Sequence, residues 1–312
     1  MPAKFHPRAF PYDMKIYIQR LFCAAALCII GSILPVALFA DSHSFAEGDA
    51  NRGELMFHVS GCRSCHESET QNDDSNAPAV LGGGRRFETE FGTFIAPNIS
   101  PHPETGIGSW TVAEFIDAMQ KGLSPDGEHY YPVFPYASYA RMAVQDVVDL
   151  KAYLDTLPES SRPNNDHELS FPYNIRFGML FWKVLYLDAD PVAEVSDDPK
   201  VQRGQYLVEG PGHCAECHTA RDWMGGLDTK QWLAGGPNPD GDGRIPNITP
   251  HEDGIAEWSE ADIAEYLSSG FTPEYDVVGG SMADVVENTS HLSKQDRLAI
   301  AAYLKSLPPW RP

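Results

Sequence analysis

Cys62-Arg63-Ser64-Cys65-His66 and Cys214-Ala215-Glu216-Cys217-His218 are the two stretches of this chain whose residue types and spacing do recognisable chemistry. Two thiols at that spacing can add to the vinyl groups of a haem, and the adjacent imidazole then falls beneath the iron, which is the attachment chemistry of haem c. A bare Cys-x-x-Cys also serves as half a zinc site or as a dithiol redox pair, and two such pairs can make one four-cysteine zinc centre. Neither alternative explains a histidine at the fifth place of both copies. The pattern predicts two covalently attached haem c groups, held by Cys62, Cys65, Cys214 and Cys217, with His66 and His218 as proximal iron ligands.

The surrounding chain repeats. Arg52-Gly53 precedes the first motif and Arg203-Gly204 the second, and Pro97-Asn98-Ile99-Ser100-Pro101 matches Pro246-Asn247-Ile248-Thr249-Pro250. The first cysteines are 152 residues apart, Asn98 and Asn247 are 149 apart, Trp110 and Trp258 are 148 apart, and Tyr153 and Tyr303 are 150 apart. Near-constant offsets mean two copies of one fold. Thr111 to Glu114, Ser259 to Asp262 and Ser293 to Asp296 are capping signals that open helices, and apolar residues at helical spacing follow them. Gly53 and Gly204 fall in helices before the motifs, where a missing side chain lets Tyr153 and Tyr303 on the last helices cross closely. The expected fold is mostly α: two tandem small helical domains, each around one haem, over residues 47–158 and 199–312.

Residues 159–198 connect the copies. Their apolar part, Phe171 to Leu187, reads first as a segment packed over one domain to orient the other, because so large a patch is rarely left exposed. The alternative is a docking surface for a partner or a membrane. Asn238 to Gly243 opens like a calcium loop, but Thr249 stands where the closing glutamate belongs, so it reads as a turn.

Lys15 and Arg20 ahead of an apolar run from Leu21 to Ala40 read as an export signal or anchor over residues 1–46, with Met14 as the expected start of translation. The run also has the length to span a bilayer. Cys23 and Cys28 lie inside it, leaving the expected mature chain no cysteine beyond the four in the motifs. Export puts the motifs outside the cytoplasmic membrane, in the periplasm. The formal charge of −21 becomes −24 without residues 1–40, 19 basic against 43 acidic residues. That excess argues against nucleic acid and anionic lipid as ligands and suits a partner with a basic docking patch.

On the paired motifs, the Pro-Asn-Ile loops, Tyr131-Pro132-Val133-Phe134-Pro135-Tyr136 and Met282-Ala283-Asp284-Val285-Val286, the chain resembles the class I cytochrome c domains of di- and tri-haem cytochrome subunits of bacterial alcohol, aldehyde and gluconate dehydrogenases. It departs from them in having two motifs where relatives often have three. The resemblance implies electron transfer rather than catalysis, with a dehydrogenase catalytic subunit as donor and an oxidase, cytochrome or quinone pool as acceptor. It also implies a distal thioether from a loop before the last helix. Met142 and Met282 take that place, although their offset of 140 is shorter than the other repeat offsets. His58, His102, His129, His213, His251 and His291 are the competing ligands, most of them expected in surface loops. A carrier requires both irons closed. A di-haem peroxidase-like enzyme, the alternative, requires one open iron.

Overall fold

The helix that opens each half of the molecule begins at an aspartate whose carboxylate caps free amide hydrogens. In the computed structural model, which describes residues 45–68, 78–238, 241 and 243–311, Asp49 caps α1 (Ala50–Val59). The first half continues through α2 (Cys62–His66), the hairpin β1 (Arg86–Thr89) and β2 (Gly92–Ile95), α3 (Val112–Lys121), α4 (Tyr136–Tyr139) and α5 (Val144–Leu154). The connector adds β3 (Glu168–Leu169) to the edge of β2, antiparallel, and forms α6 (Gly178–Tyr186). The second half repeats the plan with α7 (Pro199–Glu209), α8 (Ala215–His218), β4 (Gly236–Pro237), β5 (Arg244–Ile245), α9 (Glu260–Ser269), α10 (Met282–Ser290) and α11 (Lys294–Ser306). The small sheets were not legible in the alternation of the sequence. Thr111 and Ser259 form complete capping boxes with Glu114 and Asp262, and Ser293 accepts from the Asp296 amide at the start of α11.

The frame of each half is the crossing of its first and last helices, α1 on α5 and α7 on α11. Gly53 lies against the Asp149 carbonyl and Tyr153, and Gly204 against the Ala299 carbonyl and Tyr303, as the sequence led us to expect. Phe45 to Pro312 form one compact unit, with one apolar core running through both halves from Met56, Leu150 and Leu154 to Leu207, Ile300 and Leu304.

An ion pair locks the first crossing. The Asp149 carboxylate is fully buried and accepts from Arg52 Nε at 2.6 Å and from the Asp49 amide at 2.9 Å. Burial pushes its pKa up, but the hydrogen bonds from Arg52, the Asp49 amide and Gln145 outweigh that and hold it below the usual carboxylate range. Arg52→Ala should leave a buried carboxylate short of its cation. The expected result is a clear loss of unfolding free energy, smaller than for a wholly buried pair because Arg52 itself is half exposed. Urea denaturation checks it, and a change within about 0.5 kcal/mol, the range of ordinary surface substitutions, would contradict the role.

The connector corrects one expectation. Trp182 and Lys183 are buried, with Trp182 edge-on to Tyr136 and its indole N–H donating to the Met224 carbonyl at 3.1 Å, so the helix does bridge the two halves. Much of the rest of the apolar segment is exposed: Phe171 is 80% exposed, Phe177 65%, Phe181 61% and Val184 78%. One face of α6 is too narrow to bury apolar residues that occur all round it.

All of the expected export segment but Phe45 and Ala46 lies outside the described residues, as do parts of the calcium-like loop. Among the described residues no helix is long and apolar enough to cross a membrane.

Candidate haem-binding site

Each Cys-x-x-Cys-His run is a single helical turn, Cys62–His66 in α2 and Cys214 leading into Ala215–His218. On a helix, residues three and four apart share a face, so the two thiols and the imidazole of each motif point the same way. The residue ahead of each first cysteine has positive φ, 59° at Gly61 and 36° at His213, which turns the chain sharply from α1 and α7 into the motif.

The Pro-Asn-Ile loops hold the histidines from behind. His66 Nδ1 lies 2.8 Å from the Pro97 carbonyl, and His218 Nδ1 lies 2.8 Å from the Pro246 carbonyl. A carbonyl only accepts, so each Nδ1 carries the proton and each Nε2 keeps its lone pair, the tautomer and orientation a metal-binding imidazole needs. Burial lowers the pKa of both rings, opposed by these carbonyl bonds, so both are kept neutral. Asn98 and Asn247 in turn fix the loops: their carboxamide oxygens accept from Ser100 and Thr249 amides, at 2.9 and 2.8 Å, as expected of loop asparagines. Their amide nitrogens donate onward to the Ser160 carbonyl and the Trp310 carbonyl, each 2.7 Å away, tying each loop to the chain that follows the last helix. The histidine-holding carbonyls went unassigned in the sequence because a backbone carbonyl has no residue-type signal. The matched prolines at 97 and 246 were the available clue.

The thiols separate the rival chemistries. Burial pushes both Cys62 and Cys214 up to about 12, the reverse of a reactive dithiol. Among the described residues, no three His, Cys, Asp or Glu side chains converge as ligands for a bare metal ion. The donor set fits haem c: two thiols on one face of a turn, and beside them a neutral imidazole with its lone pair held outward.

Each motif is bonded to a helix of the opposite half, and the two contacts are reciprocal. Asn288 on α10 donates to Ser64, between the first pair of cysteines, at 2.8 Å, while Ser138 on α4 donates to Glu216, between the second pair, at 2.9 Å. His58 stacks on His291 at 3.7 Å, and His213 Nε2 approaches the Ser60 carbonyl at 3.2 Å. Of the sequence-nominated distal ligands, Met282 opens α10 and is half-buried, whereas Met142 sits in the core, 3% exposed, just ahead of α5. The structure thus gives the two methionines different places. The competing histidines are mostly engaged in the fold: besides His58 and His213, His129 Nδ1 lies 2.9 Å from Lys183 Nζ, His102 Nδ1 accepts from the Thr105 amide at 3.2 Å, and His251 is buried.

Comparison with known proteins agrees with this geometry. The cytochrome c family model matches residues 50–158. A diheme cytochrome c-type protein of Cereibacter sphaeroides is 55% identical over 261 residues, covering 84% of this chain and 86% of its own length. The cytochrome c subunit of a quinone-dependent alcohol dehydrogenase from Gluconobacter oxydans is 35% identical over 82% of this chain, which spans 54% of that subunit. The gluconate 2-dehydrogenase cytochrome c subunit of Pantoea cypripedii is 32% identical over 90% of this chain and 64% of its own length. With the haem c attachment pattern in both motifs and relatives named as a diheme cytochrome c and as cytochrome c subunits of dehydrogenases, the chain belongs to the cytochrome c family.

Proposed function

We propose that this chain is a periplasmic carrier with two covalent haems, one per half, that takes electrons from a dehydrogenase and passes them towards the respiratory chain. The observation that carries the reading is the duplication of the whole site. Two Cys-x-x-Cys-His turns, each with its histidine held by a proline carbonyl, are each tied to the opposite half by the reciprocal Ser138–Glu216 and Asn288–Ser64 bonds. Bound haem c supplies a one-electron Fe(III)/Fe(II) couple. The protein's part is to anchor it through Cys62, Cys65, Cys214 and Cys217 and to present the His66 and His218 Nε2 lone pairs. For the second half, Met282 offers the distal thioether. The reciprocal bonds hold the two halves against one another without relying on motion of the connector.

A dehydrogenase catalytic subunit as donor is supported by the relatives named as dehydrogenase cytochrome subunits. Its docking face in this reading is the exposed apolar side of Phe171 to Leu185, and the acidic body suits an acceptor with a basic patch: an oxidase, another cytochrome or a quinone-linked complex. Export through residues 1–46 places the carrier in the periplasm, free or attached to the outer face of the cytoplasmic membrane.

Mass spectrometry of the exported protein should show two covalent haems, and the double variant Cys214→Ala, Cys217→Ala should show one. A single haem on the unaltered chain, or bound zinc, would overturn the reading.

A further inference from the structure

The repeat makes it possible to ask whether the two irons would see the same distal side, and the backbone says they would not. Gly122 and Gly270 end α3 and α9 with positive φ, 58° and 76°. Each glycine carbonyl then accepts an amide at 2.8 Å, from Tyr130 in the first half and Val278 in the second, and bridges pair Leu123 with His129 and Phe271 with Val277. Throughout this stretch the halves are 148 residues apart. Further on, Ser138 and Asn288 make the equivalent bonds to the opposite motif, and Ala143 and Ser293 are the N-caps of α5 and α11, all at an offset of 150. The extra two residues of the second half therefore fall between Val278 and Asn288.

Two equivalences follow. The counterpart of Met142 is Leu292: both are 3% exposed, and their amides return to the carbonyls of Tyr139 and Thr289, at 2.9 and 3.1 Å. Leucine cannot bind iron, so in the second half this is a packing position, and methionine is a common filler of such positions. The counterpart of Met282 lies in Pro132–Phe134, with Phe134 at the 148 offset. Pro132, Val133 and Phe134 hold no thioether, imidazole or amine. Of the phenols beside them, Tyr139 donates to the Ser60 carbonyl at 3.1 Å, and a phenol at neutral pH is protonated and a poor ligand. Of the imidazoles around them, His129 belongs to the outer turn bonded to Lys183, His167 Nδ1 accepts from the Ile95 amide at 3.1 Å, and His213 Nε2 lies 3.2 Å from the Ser60 carbonyl.

We propose that Met142 is a core residue rather than a ligand, and that the first haem has a distal site, with Phe134 in the ligand's place, open to a small neutral diatomic molecule such as carbon monoxide, while Met282 closes the second. The inference rests on the reading of one haem per half, and it replaces the expectation that a carrier requires both irons closed: an iron with an open distal side can still cycle between Fe(III) and Fe(II). Because a thioether favours the ferrous state, the second half would be reduced first and the first half would be the better electron donor.

The test uses the full exported chain after its two haems have been confirmed by mass, so that loss of a haem is separated from failure of this proposal. The reduced protein should take up one carbon monoxide per chain by optical titration. Met142→Leu should leave the stoichiometry and the oxidised spectrum unchanged, while Met282→Leu should raise uptake to two and abolish the methionine-to-iron charge-transfer band. Potentiometric titration should resolve two transitions, with only the higher one moved by Met282→Leu. Unaltered protein that binds no carbon monoxide would overturn the proposal, whichever residue supplies the ligand. Uptake that appears only after Met142→Leu would name Met142 as that ligand.

Discussion

Valine at position 204 should prevent the second half from forming. A Cβ built on Gly204 would lie 1.9 Å from the Ala299 carbonyl oxygen and 2.9 Å from Tyr303 Cβ, both on the facing helix. The first contact is with backbone, so no rotamer change relieves it, and α7 and α11 must separate. Separation would also pull the Tyr303 hydroxyl from the buried Glu209 carboxylate, now 2.5 Å away, and from the Trp232 indole N–H at 3.2 Å. Overpacking a core typically costs about 1–3 kcal/mol, and a clash with backbone at a helix crossing belongs at or beyond the top of that range. Against a total stability of about 5–15 kcal/mol, Gly204→Ala should cost about 3 kcal/mol or more, and Gly204→Val should abolish covalent haem in the second half. Gly53, whose Cβ would come 1.9 Å from the Asp149 carbonyl oxygen, should behave alike in the first half. Urea unfolding and haem mass measure both effects. A Gly204→Ala protein within about 0.5 kcal/mol of the unaltered one would show that the helices do not cross there.

That these glycines could be read before the fold was known says what kind of information sequence carries. A glycine in a helix otherwise favouring side chains, an aromatic on a later helix and the same pair one repeat on together specify a close crossing, because few other arrangements need the pair twice. The paired Cys-x-x-Cys-His turns were legible for the same reason. The distal side was not: Met142 and Met282 were alike in type and rough position, and only their offset of 140 against 148 to 152 elsewhere hinted at different seats. Resolving it required the backbone bonds at Gly122 and Gly270. The connector misled in another way. Counting apolar residues gave no direction, and burial turned out to select Trp182 and Lys183, the latter with its ammonium donating to the Gly122 carbonyl at 2.6 Å. An amine reaching a helix-terminal carbonyl outweighs what hydropathy would assign to it.

Acid should loosen the packing of the two halves through His58. Its ring, in α1, stacks on His291, just past α10, at 3.7 Å with 9° between the planes. Burial lowers its pKa to about 4, with the nearby His291 and Arg63 opposing its charge as well. An unfolded histidine titrates near 6.5. The neutral ring is therefore the one the fold accepts. The stability that depends on it is complete above about pH 6.5, declines as pH falls and is gone by about pH 4, since the unfolded chain binds the proton first. The whole shift corresponds to about 3 kcal/mol, and the solvent that still reaches this half-buried ring reduces the expected loss to about 1–2 kcal/mol. Urea midpoints measured between about pH 7.5 and about pH 4.5 should fall accordingly, and His58→Phe, which keeps an aromatic face against His291 without a titrating nitrogen, should flatten that part of the slope. Parallel pH profiles for the two proteins would remove His58 as the cause. If it is the cause, the loss should appear first as weakened protection of α1 and α10, where the halves meet, before either helix crossing opens.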